Sequence, residues 1–138
     1  MLNYTLTHPP LLRALAAAGH GSQVLLADGN YPAATAKPAG AEVIHLNLRP
    51  GLLSVTEVLG PLLEAVNIEA ARVMALPDNG DVPAHAEYQQ LLGEQVAFSV
   101  MERFAFYEAA RGPDVAFVVA TGDQRICANL LLTIGVRT

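Results

Sequence analysis

The sequence is poor in cysteine, in lysine and in long apolar segments. Its one cysteine, Cys127, excludes an internal disulfide and fits a reducing compartment, so we expect a cytoplasmic protein. Only Lys37 among the eight basic residues is a lysine, the arginines are scattered, and the net charge is −5, which argues against a nucleic-acid partner. No stretch approaches the ~20 apolar residues that cross a bilayer, and no signal-peptide pattern opens the chain, so we expect no membrane partner.

Charged residues are also scarce, at 15% of the chain, whereas hydrophobic residues make up 52%. A length of 138 residues is enough to close one core, so we expect residues 1–138 to form a single domain. The apolar excess at this size indicates strands buried on both faces, extensive subunit interfaces, or both. We expect both.

Alternating helical and strand patterns predict an α/β layer fold. The run 115–120 is apolar without a polar break, and 23–27 is a similar run between two sets of turn residues. The predicted strands are 23–27, 43–46, 72–76, 96–100, 115–120 and 129–134, and the predicted helices are 8–19, 54–66, 81–92 and 102–111.

Local signals refine two of these helices. Ser54 and Glu57 have the spacing of a capping box, and Pro61 inside the same helical pattern predicts a kink or a break. We expect the helix 81–92 to bury a side that includes Tyr88, Leu91 and Leu92. The segment 28–40 has no periodicity and is interpreted as an ordered loop beside a site.

The stretch 19–32 combines a helix end, a polar turn, a buried strand and a second polar turn. His20 precedes the strand and Asp28 ends it, while Gly19 and Gly21 leave the imidazole uncrowded. The two side chains could perform acid–base chemistry on a small polar ligand if the fold brings them together. Alternatively, His20 caps the preceding helix and Asp28 belongs to an ordinary Asp-Gly turn.

Three further residues are candidates for a polar site. We expect Cys127 and Asn129 to lie on one face of the last strand, where the Asn129 amide either binds sugar hydroxyls or ties down the turn. Cys127 is interpreted as a packing residue rather than a nucleophile. Arg103 is either a hydrogen-bonding fork for a ligand or a solvated helix charge. The same helix carries three aromatic residues, interpreted as core or interface: Phe104, Phe106 and Tyr107.

Other kinds of site have weak support. The four histidines (His8, His20, His45 and His85) show no ligand spacing, so we predict no metal site. The glycines near residues 19–29 do not form a dinucleotide fingerprint, and Ser22 has no triad context. The residues by themselves therefore predict a small α/β domain with a polar pocket.

Several segments together resemble the family of ribose pyranases and fucose mutarotases, the RbsD/FucU family, over nearly the whole chain. They are Gly-His-Gly at 19–21 before the first strand and Asp28, the Arg-Phe-Ala-Phe-Tyr-Glu block at 103–108, Thr-Gly at 121–122, and Asn-Leu-Leu-Leu at 129–132 before Gly-Val at 135–136. Arg103 makes the middle block similar to the fucose branch, since ribose-type members carry histidine there.

The resemblance implies a three-layer α/β sheet, mostly parallel, with helices on both faces. It implies a homo-oligomer, commonly a decameric ring, with pockets at subunit contacts. The implied activity is a cofactor-free isomerase that interconverts the anomers of a free monosaccharide, fucose-like or ribose-like, by acid–base ring opening and closure.

The resemblance also assigns roles to residues. His20 matches the family's proton donor, and Asp28 and Arg103 match sugar-binding positions, with Asp28 also a candidate to orient His20 or to act as partner base. The segment Cys127, Ala128 and Asn129 matches the family's Tyr-Ala-Asn or Tyr-Gly-Asn segment, so we expect all three to contact the substrate.

Cys127 departs from that pattern, because the family has tyrosine at this position and a thiol is a weaker hydrogen-bonding group. Tyr31 and Tyr107 are candidates to fill the space. The departure supports an alternative, a non-catalytic sugar-binding or regulatory subunit. A nucleotide-binding α/β domain is a third possibility, disfavoured by the absence of a phosphate loop.

Overall fold

Helices and strands alternate along the chain as the apolar patterns predict. The computed structural model describes all residues 1–138. The helices are α1 (Pro9–Ala17), α2 (Val55–Ala65), α3 (Pro83–Leu92) and α4 (Arg103–Ala110), and the strands are β1 (Gln23–Ala27), β2 (Glu42–His45), β3 (Ile68–Met74), β4 (Ala97–Met101), β5 (Val115–Ala120) and β6 (Leu130–Ile134).

The six strands form one sheet in the order β2-β5-β1-β6-β3-β4. β1 is parallel to β5, β5 to β2, and β3 to β4, whereas β6 is antiparallel to both of its neighbours. Five strands therefore run in one direction and β6 runs against them. The ends of β1 to β5 and the start of β6 meet at one border of the sheet, which we call the carboxyl edge; the opposite border is the amino edge.

Both faces of the sheet are covered, as expected for a three-layer α/β fold. Every residue of β1 is buried, which requires packing on both sides. The right-handed rule for parallel crossovers puts α2 and α3 on one face and α4 on the other. Consistently, α2 contacts α3. The loop after β1 lies on the face of α4, because the Tyr31 and Tyr107 rings stack with centroids 5.5 Å apart. The mostly parallel α/β architecture is confirmed.

A single cluster of 37 buried hydrophobic residues joins the sheet to the helices. At the start of α2 the expected capping box is present, with Ser54 Oγ accepting from the Glu57 N–H and the Glu57 carboxylate accepting from the Ser54 N–H. The expected break at Pro61 does not occur: α2 continues through it, because four side chains spaced along one face (Val55, Val58, Leu59 and Leu62) anchor it in the core.

Two local predictions are wrong. β3 starts at Ile68, four residues before the predicted start, because Ile68 and Ala70 pair with Ile134 and Thr133 of β6. Leu91, which was expected to be buried, is 44% exposed. The buried side of α3 instead consists of residues four positions apart, Ala84, Tyr88 and Leu92. None of the four helices is long and apolar enough to span a membrane.

Candidate active site

A cavity of about 200 Å³ opens at the carboxyl edge of the sheet. Such edges collect ligands in α/β proteins, because the loops that follow parallel strands converge there. Side chains from the ends of β1, β3 and β4 and from the loop before β6 form its wall. The ten lining residues are Asp28, Asn30, Tyr31, Met74, Pro77, Arg103, Tyr107, Ile126, Cys127 and Asn129.

Asp28 and Asn129 form the polar floor of this cavity. The Asp28 N–H donates to Asn129 Oδ1 at 2.8 Å, and Asn129 Nδ2 donates to Asp28 Oδ2 at 3.0 Å. The other carboxylate oxygen, Asp28 Oδ1, accepts from the Asn30 N–H at 2.9 Å. Both side chains are buried, so these bonds fix their orientation.

Burial raises the pKa of the Asp28 carboxyl above its ordinary value, although N–H groups of Asn30, Tyr31 and Ala128 act in the opposite direction. The physical cause is the loss of water around the charged form. A carboxyl whose pKa lies above the usual range is better suited to exchange a proton near neutral pH than a fully solvated one.

Residues 127–129 lie in the loop before β6, which begins at Leu130. The expectation that Cys127 and Asn129 share a strand face is therefore wrong. Cys127 has a left-handed backbone with φ 58°, which directs its side chain to the same cavity as Asn129. Its thiol donates to the Ala75 carbonyl at 3.6 Å, and burial raises its pKa. Ala128 is completely buried, and its carbonyl accepts from the Tyr88 hydroxyl at 2.7 Å.

Arg103 is the first residue of α4 and reaches the cavity without any hydrogen bond or ion pair to another side chain of this chain. Its guanidinium instead lies over aromatic rings, 5.8 Å from the centroid of Tyr107 and 5.9 Å from that of Phe104. Tyr107 is also stacked on Tyr31. The five donors of Arg103 are therefore available to a ligand.

His20 lies at the other end of the molecule. It precedes β1, at the amino edge, whereas Asp28 follows β1, so the whole strand, roughly 17 Å long, lies between the two. His20 is exposed, and its Nε2 lies 3.0 Å from Glu69 Oε2 of β3. Within one chain, the structure thus brings together Asp28, Arg103, Cys127 and Asn129, but not His20.

The aromatic residues of α4 divide between core and surface. Phe106 is completely buried, as interpreted from the sequence, whereas Phe104 is 71% exposed. Tyr107 and Tyr31 line the same cavity as Cys127, as expected of residues that could fill the space of the family's tyrosine. Met74, Pro77 and Ile126 were not predicted from the sequence. The first two could have been, because they lie at and just after the end of β3, and the ends of parallel strands meet at this edge.

No group of three or more histidine, cysteine, aspartate or glutamate side chains is arranged to hold a metal ion. The cavity instead offers the buried Asp28 carboxylate, the Asn129 amide and the unpaired Arg103 guanidinium. Groups of this kind bind the hydroxyls of a small polar molecule.

The chain is similar in sequence and in fold to proteins whose names refer to sugars. Fucose mutarotase from Homo sapiens is 38% identical over 141 residues, covering 95% of this chain and 90% of that protein. D-ribose pyranase from Paracidovorax citrulli is 30% identical, covering 99% and 98%. Bacillus subtilis RbsD complexed with D-ribose superposes with a TM-score of 0.86 at 25% identity over the whole of both chains. Because the model of the RbsD / FucU transport protein family matches residues 1–137, this chain belongs to that family.

Proposed function

We propose that the protein is a sugar isomerase, a mutarotase or pyranase that interconverts the anomers of a free fucose-like or ribose-like aldose without a cofactor. The observation that carries the proposal is the cavity in which the buried Asp28 carboxyl and the Asn129 amide face the unpaired Arg103 guanidinium. The relatives named fucose mutarotase and D-ribose pyranase support it.

The reaction moves two protons and leaves the carbon skeleton unchanged. A base takes the proton of the anomeric hydroxyl while an acid protonates the ring oxygen, and the bond between the anomeric carbon and the ring oxygen breaks. The open-chain aldehyde rotates and closes on its other face, with the protons returned in reverse. Positioned acid–base groups contribute about 10²–10⁴-fold to such a step.

We assign the roles as follows. Asp28 accepts a sugar proton or a hydroxyl hydrogen bond, which its raised pKa supports. Arg103 and Asn129 anchor hydroxyls, and Cys127 shapes the wall beside them, whereas Ala128 is completely buried and joins Cys127 to Asn129. His20 donates and recovers the ring-oxygen proton, a role that imidazole side chains commonly fill in acid–base catalysis.

Because His20 is remote from Asp28 in one chain, we infer that each site takes its histidine from a second copy. Exposed apolar side chains at the cavity support a subunit contact there: Ile126, which lines it, is 68% exposed, and Phe104, which lies under Arg103, is 71% exposed. Large apolar groups of this kind mark interfaces. We propose a homo-oligomer with sites at subunit contacts, a decameric ring in the arrangement implied by the resemblance, located in the cytoplasm.

Mixing two inactive variants tests the shared site. His20→Gln and Asp28→Asn proteins are mixed, unfolded and refolded together, so that protomers assemble at random. If His20 and Asp28 of one site come from different protomers, roughly a quarter of the sites regain both wild-type residues and activity returns. If both belong to the same protomer, every site keeps one defect and the mixture stays inactive.

Exchange NMR tests the activity itself. Magnetisation should pass between the α and β anomers of L-fucose or D-ribose faster with the protein than without it, at pH near 7. His20→Gln should lower the rate by about 10²-fold or more while sugar binding persists. His45→Gln is the matched control, because His45 is exposed and lies outside the cavity lining. No acceleration for any aldose would refute the proposal.

A second candidate is a sugar-binding subunit without turnover. The observation in its favour is the Cys127 thiol, which is directed to the Ala75 carbonyl and leaves no strong hydroxyl donor at that position. Calorimetry that detects sugar binding, together with an unchanged anomer exchange rate, would favour this candidate over the isomerase.

A further inference from the structure

The loop 121–129, between β5 and β6, is fastened behind the cavity by a charged network. Arg125 binds both oxygens of Asp123, with Nε 3.0 Å from Oδ1 and Nη2 2.7 Å from Oδ2. The same guanidinium donates to Glu87 Oε2 of α3 at 2.7 Å and to Thr56 Oγ1 of α2 at 3.0 Å. Asp123 is buried and also accepts from the Val55 N–H at 2.9 Å. One side chain thus joins the loop to two helices.

The network also reaches the turn that carries Asp28. The Asp123 carbonyl accepts from the Gly29 N–H at 2.8 Å, so the loop and the residue next to Asp28 are bonded directly. A side chain that fixes Asp123 therefore acts on both halves of the cavity floor, the Asp28 side and the Asn129 side.

The part of the loop beyond Arg125 needs such support. A non-glycine residue with φ near +60°, such as Cys127, costs about 1–2 kcal/mol and persists where its surroundings determine the backbone. The flanking carbonyls are held from α3: His85 Nε2 lies 3.3 Å from the Cys127 oxygen, and the Tyr88 hydroxyl donates to Ala128. Arg125 supplies the anchor on the other side of Cys127.

We propose that Arg125 is a positioning residue for this site: by clamping loop 121–129 to α2 and α3, it sets the places of Cys127 and Asn129 around the cavity. It does not touch the substrate. The inference rests on the proposed sugar site for its kinetic consequence, but the clamp itself has a consequence that needs no sugar.

Cys127 provides that independent readout, because it is the only cysteine of the chain. Arg125→Met removes four side-chain hydrogen bonds, and opening of the loop then exposes the buried thiol. We expect Cys127 in the folded, full-length Arg125→Met protein to react at least about tenfold faster with a thiol-specific disulfide reagent than Cys127 in the wild type. The KM for the exchanging sugar should rise about tenfold, because hydroxyl anchors are displaced.

Arg125→Lys and Arg13→Met complete the design. Lysine keeps a positive charge beside Asp123 but cannot bind Asp123, Glu87 and Thr56 together, so it should fold and restore part of the labelling and KM values. Arg13 forms an equally short ion pair with Glu42 on the exposed surface, and its removal should change labelling and KM less than twofold.

Wild-type labelling and KM in a folded Arg125→Met protein would overturn the proposal. If Arg125→Met does not fold, Arg125→Lys with unchanged labelling and KM would overturn it instead. A wild type that does not accelerate anomer exchange refutes the proposed function, and the labelling rates still decide whether the clamp holds the loop.

Discussion

Asp28 and Asp123, the two buried carboxylates of the chain, lie on neighbouring turns of the carboxyl edge, and their pKa values move in opposite directions. Burial raises the pKa of Asp28. Burial also acts to raise the pKa of Asp123, but hydrogen bonds from Arg125 and from the Val55 N–H outweigh it and hold that pKa below its ordinary value. The difference is that Asp123 has a cation bound to it and Asp28 does not.

The two aspartates should therefore have opposite effects on stability as the pH changes. The raised pKa of Asp28 means that its stabilising contribution is present below the unfolded value, about 3.9, and is lost as pH rises through the folded pKa. The lowered pKa of Asp123 means that its contribution is present above about 3.9 and is lost as pH falls through the folded pKa.

Urea unfolding between about pH 3 and pH 7 tests this with Asp28→Asn and Asp123→Asn. The free energy of unfolding of the wild type relative to Asp28→Asn should fall as the pH rises above about 4, whereas relative to Asp123→Asn it should fall as the pH drops below about 4. Slopes of the same sign for the two differences would contradict the assignment.

Asn129→Asp should damage both stability and the site. Asn129 donates to Asp28 Oδ2, and an aspartate in its place removes that donor and sets a second carboxylate against the first. We expect a loss of about 1–3 kcal/mol in the free energy of unfolding at pH 7, together with loss of sugar binding. Asn67→Asp is the control, because Asn67 donates to the Val136 carbonyl at an exposed position. Equal unfolding free energies for the two variants would argue against repulsion between Asp28 and the introduced carboxylate.

The strands whose ranges can be predicted from local sequence are those that depend least on pairing with neighbouring strands. β1 and β5 coincide with the predicted ranges, because each is a continuous apolar run between turn residues. β3 was predicted too short, since Glu69 and Ala70 have weak strand preference and their extended backbone is imposed by pairing with β6. The position of β6 between β1 and β3 depends on the whole sheet and leaves no local signature.

In the candidate site, too, some features follow from chain order and others depend on the tertiary fold. Residues that end parallel strands, such as Asp28 and Arg103, could be assigned to one edge from chain order alone. The reciprocal bonding of Asp28 with Asn129 joins residues 101 positions apart, so it depends on the tertiary fold and has no local signal in the sequence. The Arg125 network was not predicted, because its partners come from α2, α3 and the loop, and no spacing in the sequence connects these three.

Tyr107 should matter to sugar affinity through Arg103. Its ring lies under the Arg103 guanidinium and against Tyr31, and Arg103 has no ionic partner to hold it otherwise. Tyr107→Leu removes the ring and should raise the Kd for the sugar about two- to fivefold, the equivalent of a cation–π contact of about 0.5–1 kcal/mol. Tyr107→Phe keeps the ring and should have the smaller effect. Calorimetric titration of L-fucose or D-ribose measures both, and a Phe variant as weak as the Leu variant would exclude stacking as the cause.

Substitutions at Cys127 should be ranked by backbone preference rather than by size. With φ at 58°, Cys127→Gly gains about 1–2 kcal/mol of backbone relief, which offsets the loss of a small buried side chain, so its unfolding free energy should stay close to that of the wild type. Cys127→Val keeps a small apolar side chain but should lose more than about 2 kcal/mol, because a β-branched residue is strongly disfavoured at positive φ. Thermal and urea unfolding give the ranking. A valine variant as stable as the glycine variant would mean that the loop leaves the left-handed conformation without cost, and it would remove the strain that the Arg125 clamp is inferred to hold.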